Sequence, residues 1–189
     1  NLTYNVGNNL SSRWLLALIP LAIALLLFRF LYTAFVGNVI LVGQKGWSLR
    51  FWRGEYPSVG EMFAGFRMYT PALLTTLLRD LFVFLWTLLL VVPGIVMGYA
   101  YSMSEYIIYE NPRLSPTRAL EMSKTMTSGY KGDLFLFDLS FLGWQILSLF
   151  TLGILGIVYV NPYYDTAHAG MYDMLKTNAL QRGHLRPED

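Results

Sequence analysis

The sequence predicts an all-α protein that crosses a membrane several times. Six membrane helices are expected, paired as three hairpins, some short or re-entrant, with amphipathic helices along the interface. Three observations carry this. The 189 residues are 54% apolar and 14% charged, with a mean hydropathy of +0.42; a soluble domain carries about 25% charge. Long runs lack charge: Leu81 to Ser104 is 24 residues and Leu139 to Tyr164 is 26, while Trp14 to Gln44 holds only Arg29 in 31. About 20 apolar residues suffice for one bilayer crossing. Basic residues gather between these runs, where hairpins would bring them to one side.

The composition also excludes. A formal charge of +2 without a basic stripe argues against a nucleic-acid partner. With no cysteine, thiolate metal sites, iron–sulfur clusters and cysteine nucleophiles are ruled out. The two histidines, His168 and His184, form no His-Glu-x-x-His pattern. Walker, dinucleotide and Gly-x-Ser-x-Gly motifs are absent. No metal, no cofactor and no catalytic set are expected, and the chain reads as non-enzymatic.

In chain order, the first hairpin region is residues 14–51, with limbs Trp14–Phe28 and Leu31–Phe51. Gly37, Gly43 and Gly46 weaken the second limb. Arg13 before an apolar stretch superficially fits a signal peptide, but no small-x-small site follows and the segment reads as a span. Asn1-Leu2-Thr3 is a weak glycosylation match. A connector at 52–69 follows; Ser58-Val59-Gly60-Glu61 has capping-box spacing and predicts an interfacial helix from Val59 to about Tyr69. The second hairpin region is 70–110, with either a kink or a turn at Pro93-Gly94. In the connector 111–133, Ser115-Pro116 starts a helix. Its stripe of Ala119, Leu120, Met122 and Met126 lies on the membrane surface or docks under the bundle. The third hairpin region is 134–175, with a corner at Thr151-Leu152-Gly153. Gly98, Gly143, Gly153 and Gly156 read as sites of close helix approach. The whole is expected to be a single membrane domain, residues 1–189.

Positive charge sets the orientation. Arg13, the set Lys45, Arg50 and Arg53, the set Arg113, Arg118, Lys124 and Lys131, and the set Lys176, Arg182 and Arg186 all fall on one side if every region is a hairpin. That side is cytoplasmic, and both termini lie there.

An ordered series of motifs then becomes visible. It runs from Phe51-Trp52-Arg53-Gly54-Glu55-Tyr56-Pro57-Ser58 through Val91-Val92-Pro93-Gly94-Ile95 and Glu110-Asn111-Pro112. It continues through Gly129-Tyr130-Lys131, Asp138-Leu139-Ser140-Phe141-Leu142-Gly143-Trp144 and Thr151-Leu152-Gly153-Ile154 to Asn161-Pro162-Tyr163. Over about Phe51 to Leu175 the chain resembles the bacterial integral-membrane family catalogued as domain of unknown function 975. More distantly it resembles the membrane domain attached to some glycerophosphodiester phosphodiesterases. The resemblance implies a multi-pass helical protein of the bacterial plasma membrane and carries no catalytic residues.

Three groups of residues are candidates for chemistry. Arg29, Arg79, Asp80 and Asp138 are charged within or beside apolar runs, where charge is costly and often paired. Asp138 is expected to pair with Arg29 or Arg79, or to line a polar path. Asn161, Tyr163, Asp165, His168 and Tyr172 form a second group, at i,i+3 and i,i+4 spacings that suit a headgroup site or an interfacial network. Glu105, Glu110, Asn111, Lys124 and Lys131 surround the middle connector and suit a protein partner or anionic lipid. The expected roles are a lipid- or peptide-binding module that supports a partner, a small transporter or channel-like protein, or a membrane enzyme, in that order. Membrane lipids are the expected partners, with a membrane protein or a second copy as further candidates.

Overall fold

The computed structural model describes residues 18–186, so the expectations for Arg13 and Asn1-Leu2-Thr3 lie outside the described residues. The chain divides into two compact units, Asn1–Gly37 and Asn38–Asp189. In the first, helix α1 occupies residues 18–32 and leads into a π turn, Thr33–Gly37. Its apolar side chains are exposed, from Leu18 to Phe35. Residues 29 and 30, where the first hairpin was expected to turn, are helical. Leu, Ile and Phe on every face leave nothing there to stop a helix.

The second unit is all-helical among the described residues. It comprises α2 (Asn38–Trp52), a 3-10 helix (Val59–Met68), α3 (Tyr69–Leu89), α4 (Val91–Ala100), α5 (Ser104–Glu110), α6 (Pro116–Met126), α7 (Lys131–Phe150), a π turn (Gly156–Val160) and α8 (Asn161–Gln181). Leu18–Trp52, Val59–Leu89 and Lys131–Phe150 are long and apolar enough to cross a membrane, which gives the chain multi-pass membrane character.

Gly43 and Gly46 do not weaken α2 as expected. A Cβ on Gly43 would run into the Met62 carbonyl, one on Gly65 into the Val39 carbonyl, and one on Gly46 into the Tyr109 ring. Gly43 and Gly65 let α2 and the 3-10 helix meet backbone to backbone, and Gly46 makes room for the Tyr109 ring, close approaches set against a helix cost of about 0.5–1 kcal/mol per glycine.

The second hairpin turns at Leu90, three residues before Pro93. Leu90 is extended (φ −158, ψ 139) while its N–H still bonds to the Trp86 carbonyl. Pro93 then sits in the first turn of α4, where its missing N–H costs nothing. Thr87 packs on Gly94, Phe82 on Tyr101, and Arg79 reaches Glu105, so α3 and α4–α5 run antiparallel. The third hairpin turns at Thr151-Leu152-Gly153 as expected, with Leu152 at φ 52 and Gly153 at φ 84. Ser148 faces Gly156, Trp144 faces Tyr159, and Asp138 faces Tyr164. Gly98 and Gly143 have open space around them and mark no close approach.

Both hairpin tips are apolar and bare. Leu88 to Val92 are 63–73% exposed, and Leu149, Phe150 and Leu152 are 77–92% exposed. The opposite end holds the packed core: Leu49, Met103, Tyr106, Ile108, Met122, Leu134, Tyr172 and Leu175 are buried together. Each such side chain contributes about 1.5–3 kcal/mol of burial. Helix α6 docks into this core through Ala119, Leu120, Met122 and Met126 instead of lying on the membrane surface. Ser115 caps it by accepting from the Arg118 N–H. Ser58, in contrast, makes no side-chain cap, and Val59–Met68 winds as a 3-10 helix.

Helices α2 and α8 lie parallel. Lys45 pairs with Asp165 at 2.9 Å, and eight residues further along each segment Arg53, just past the end of α2, pairs with Asp173 at 2.6 Å.

Candidate functional site

Between the apolar tips and the core lies a layer of polar groups. Arg79 is ten residues before Leu89 and Asp138 twelve before Phe150, about 15 and 18 Å of helix. A hydrocarbon core is about 30 Å thick, so a spanning arrangement places this layer near its middle.

On one side of the layer, Arg79 reaches the Glu105 carboxylate and also donates to Asp80 Oδ1 at 2.7 Å. Asn38 Nδ2 donates to Asp80 Oδ2 at 3.1 Å. Glu105 is only 2% exposed, so Arg79 is what makes its charge tolerable there. Lys45, Arg79, Asp80, Glu105 and His168 line a cavity of about 490 Å³, walled by Leu41, Val83 and Phe84. The Tyr106 hydroxyl and His168 Nδ1 lie 3.1 Å apart.

Asp138 is held differently. Its carboxylate accepts from the Tyr99 hydroxyl at 2.8 Å and the Tyr164 hydroxyl at 2.7 Å. It does not pair with Arg79, which is committed to Glu105 and Asp80; Arg29 belongs to the first unit, where it is exposed on α1. Two phenols therefore carry the desolvation of Asp138, with no cation bonded to it among the described residues.

The second group of candidates is split. Asp165 turns to Lys45, whose Nζ also lies 5.7 Å from the Tyr106 ring and 5.8 Å from the Tyr164 ring. His168 turns to Tyr106 and stacks between it and Tyr164, at 5.7 Å from each. The i,i+3 spacing of Asp165 and His168 thus serves two separate cross-helix contacts. Tyr163 is exposed and stacks on Tyr159 at 6.0 Å. Tyr172 joins the core, stacking on Tyr106 at 4.9 Å.

Asn161 and Asp165 face a lateral groove of about 610 Å³ between α2, the 3-10 helix, α7 and α8. Gln44 and Gln145 complete its amide lining, and Trp47, Met62, Ile157 and Pro162 supply apolar surface. The amides of Gln44, Gln145 and Asn161 make no side-chain hydrogen bond among the described residues. Trp47 is committed, donating to the Pro57 carbonyl at 3.1 Å.

The third group also divides. Glu110 accepts from Tyr172 at 2.5 Å and Lys176 at 2.6 Å and pairs with Arg53 at 2.6 Å, joining the ends of α2, α5 and α8. Burial alone would raise the Glu110 pKa, but bonds from Lys176, Tyr172 and Arg53 outweigh it and hold the carboxyl below its ordinary 4.5. Asn111 ends α5, while Lys124 and Lys131 lie on the surface of the α6–α7 connector.

Sequence reasoning singled out neither Lys45, Tyr99 and Tyr106 nor the two glutamines as parts of a site. Lys45 had one readable signal, a lone charge before Gly46 in an apolar limb. Tyr164, His168 and Tyr172 stand at i, i+4 and i+8, and this spacing marks the buried aromatic stripe. Among the described residues no cluster of three His, Asp or Glu is placed to hold a metal ion.

Residues 87–179, about half of the chain, match the family described as protein of unknown function (DUF975). No curated protein matches the chain, and no solved structure does. The matched segment starts before the Leu90 turn and ends within α8, so it contains Asp138, both of its tyrosines, Glu105, Asp165 and His168. Over residues 87–179 this helical chain of multi-pass membrane character therefore matches the DUF975 family.

Proposed function

We propose that this chain is a non-enzymatic lipid-binding module of the bacterial plasma membrane, with its basic end and C-terminus on the cytoplasmic side. One observation carries the reading: the lateral groove presents three unpartnered side-chain amides beside apolar surface. An amide facing hydrocarbon costs free energy until it finds a donor or acceptor. The ester carbonyls and phosphate of a phospholipid accept from such amides, while Ile157 and the bare α7–α8 hairpin offer a wall for its acyl chains. The basic ends of α2 and α8 meet at Glu110, and Arg182 donates to Tyr130 at 2.8 Å beside Lys131, which supports a single cytoplasmic face. The test is phosphorus analysis of lipid copurified in mild detergent. Gln145→Leu combined with Asn161→Leu should lower retained phospholipid without loss of helicity; equal retention overturns the reading.

A second reading, a small transporter, is favoured by Asp138 alone, an acid at membrane depth bonded to two phenols and to no cation. Proton flux in proteoliposomes that disappears in Asp138→Asn supports it. Liposomes no leakier with the protein than without it remove it.

A further inference from the structure

The sequence groups Glu105, Glu110, Lys124 and Lys131, but the fold separates them. Both glutamates turn inward to Arg79 and to Arg53 and Lys176. That leaves Lys124 on the exposed face of α6 and Lys131 as the first residue of α7. The two lysines line a surface groove of about 570 Å³ with Arg118, Glu121, Ser128 and His184. Arg118 pairs with Glu121 at 3.6 Å. Neither lysine ammonium has an ion pair or hydrogen bond among the described residues. With Arg118 and Glu121 engaged, Lys124 and Lys131 are left as two cations with no counter-charge among the described residues.

Its position gives that charge a partner. Lys131 opens one of the three apolar stretches able to cross a membrane. The groove therefore lies where α7 leaves the hydrocarbon, at the depth of lipid phosphates. It sits at the basic end of the unit, opposite the apolar tips.

We propose that this groove binds the phosphate of an anionic phospholipid between Lys124 and Lys131. The site is separate from the amide-lined groove and selects by charge: a choline headgroup would bring a cation into a site that already holds a positive surplus. Each lysine near an anionic surface strengthens attraction severalfold, so removing both lowers binding about thirty-fold.

The test uses the full chain in nanodiscs of phosphatidylglycerol mixed with phosphatidylcholine, with bound lipid read by native mass spectrometry. The unaltered chain should retain phosphatidylglycerol over phosphatidylcholine, and added salt should weaken that retention. Lys124→Gln with Lys131→Gln should lower it about thirty-fold, and Lys124→Arg with Lys131→Arg should preserve it. Equal retention of the two lipids by the unaltered chain, or indifference to salt, overturns the proposal without recourse to any variant. Release of phosphatidylglycerol by inorganic phosphate at equal ionic strength would make this a free-phosphate site and also overturn it. Gln145→Leu with Asn161→Leu should leave phosphatidylglycerol preference unchanged, which keeps failure of the two sites distinguishable.

Discussion

Glu105 and Asp138 lie at similar depths below their hairpin tips, yet the fold neutralises them by opposite means. Glu105 is sealed in, with Arg79 against it. Asp138 is half-buried and held by two tyrosine hydroxyls. The first arrangement locks a charge in place and serves packing between α3 and α5. The second satisfies the carboxylate's hydrogen bonds with no cation bonded to it among the described residues. An acid at membrane depth is thus not one kind of feature. Its partners decide whether it is mortar or a site.

The sharpest way to break this contrast is to unpair Glu105. Glu105→Gln leaves the Arg79 guanidinium with only the more exposed Asp80 as counter-charge and should cost about 1.5–3 kcal/mol, the value of a hydrogen bond to a charged group. This is read as a lowered thermal unfolding midpoint in detergent, and Arg79→Met in the same chain should recover part of it. If Glu105→Gln proves as mild as Asp138→Asn, the distinction between the two acids fails.

Glu110 gives the comparison a third case, an acid tied to cations at the basic end. Its folded pKa lies below its ordinary 4.5, so its contribution is present above that value and is lost as pH falls through the folded pKa. Thermal stability should stay nearly level from about pH 8 to pH 5.5 and then fall. Glu110→Gln should flatten that acid limb. An unchanged limb in the variant would assign the loss to other carboxylates.

At Asp138 itself, Tyr99→Phe or Tyr164→Phe should each cost about 1–2 kcal/mol, the value of one hydrogen bond to a charged group. The pair together should cost more than the sum, because the carboxylate then loses both of its hydrogen-bond donors. The smallest effect is expected at the third hairpin's corner. Leu152 holds φ 52, a conformation that costs a non-glycine residue about 1–2 kcal/mol. Leu152→Gly should therefore be neutral to stabilising by about 1 kcal/mol, whereas Gly153→Leu should destabilise.

The sequence made the helices and their corners readable because those signals are local. Thr151-Leu152-Gly153 turns where expected, and Ser115-Pro116 starts α6. The Pro93-Gly94 turn was displaced because proline is as comfortable in a first helical turn as at a break. The site was legible only in part. Asp138, Asp165 and His168 stand out in sequence, but their partners lie 39, 120 and 62 positions away. Spacing rules reach three or four residues along a helix, so they paired Asp165 with His168 instead. Gln44 and Gln145 carry no charge and interrupt no apolar run, so nothing in a charge-gap reading could raise them.

The two ion pairs that join α2 and the residue after it to α8 stand eight residues apart along each segment, about 12 Å of helix. They act like two pins through two parallel rods. Sliding one rod by a single turn would pull both pins at once, with no neighbouring register to receive them. A slide of α8 along α2 is thus registered at two partly exposed points at once, each worth about 0–1 kcal/mol.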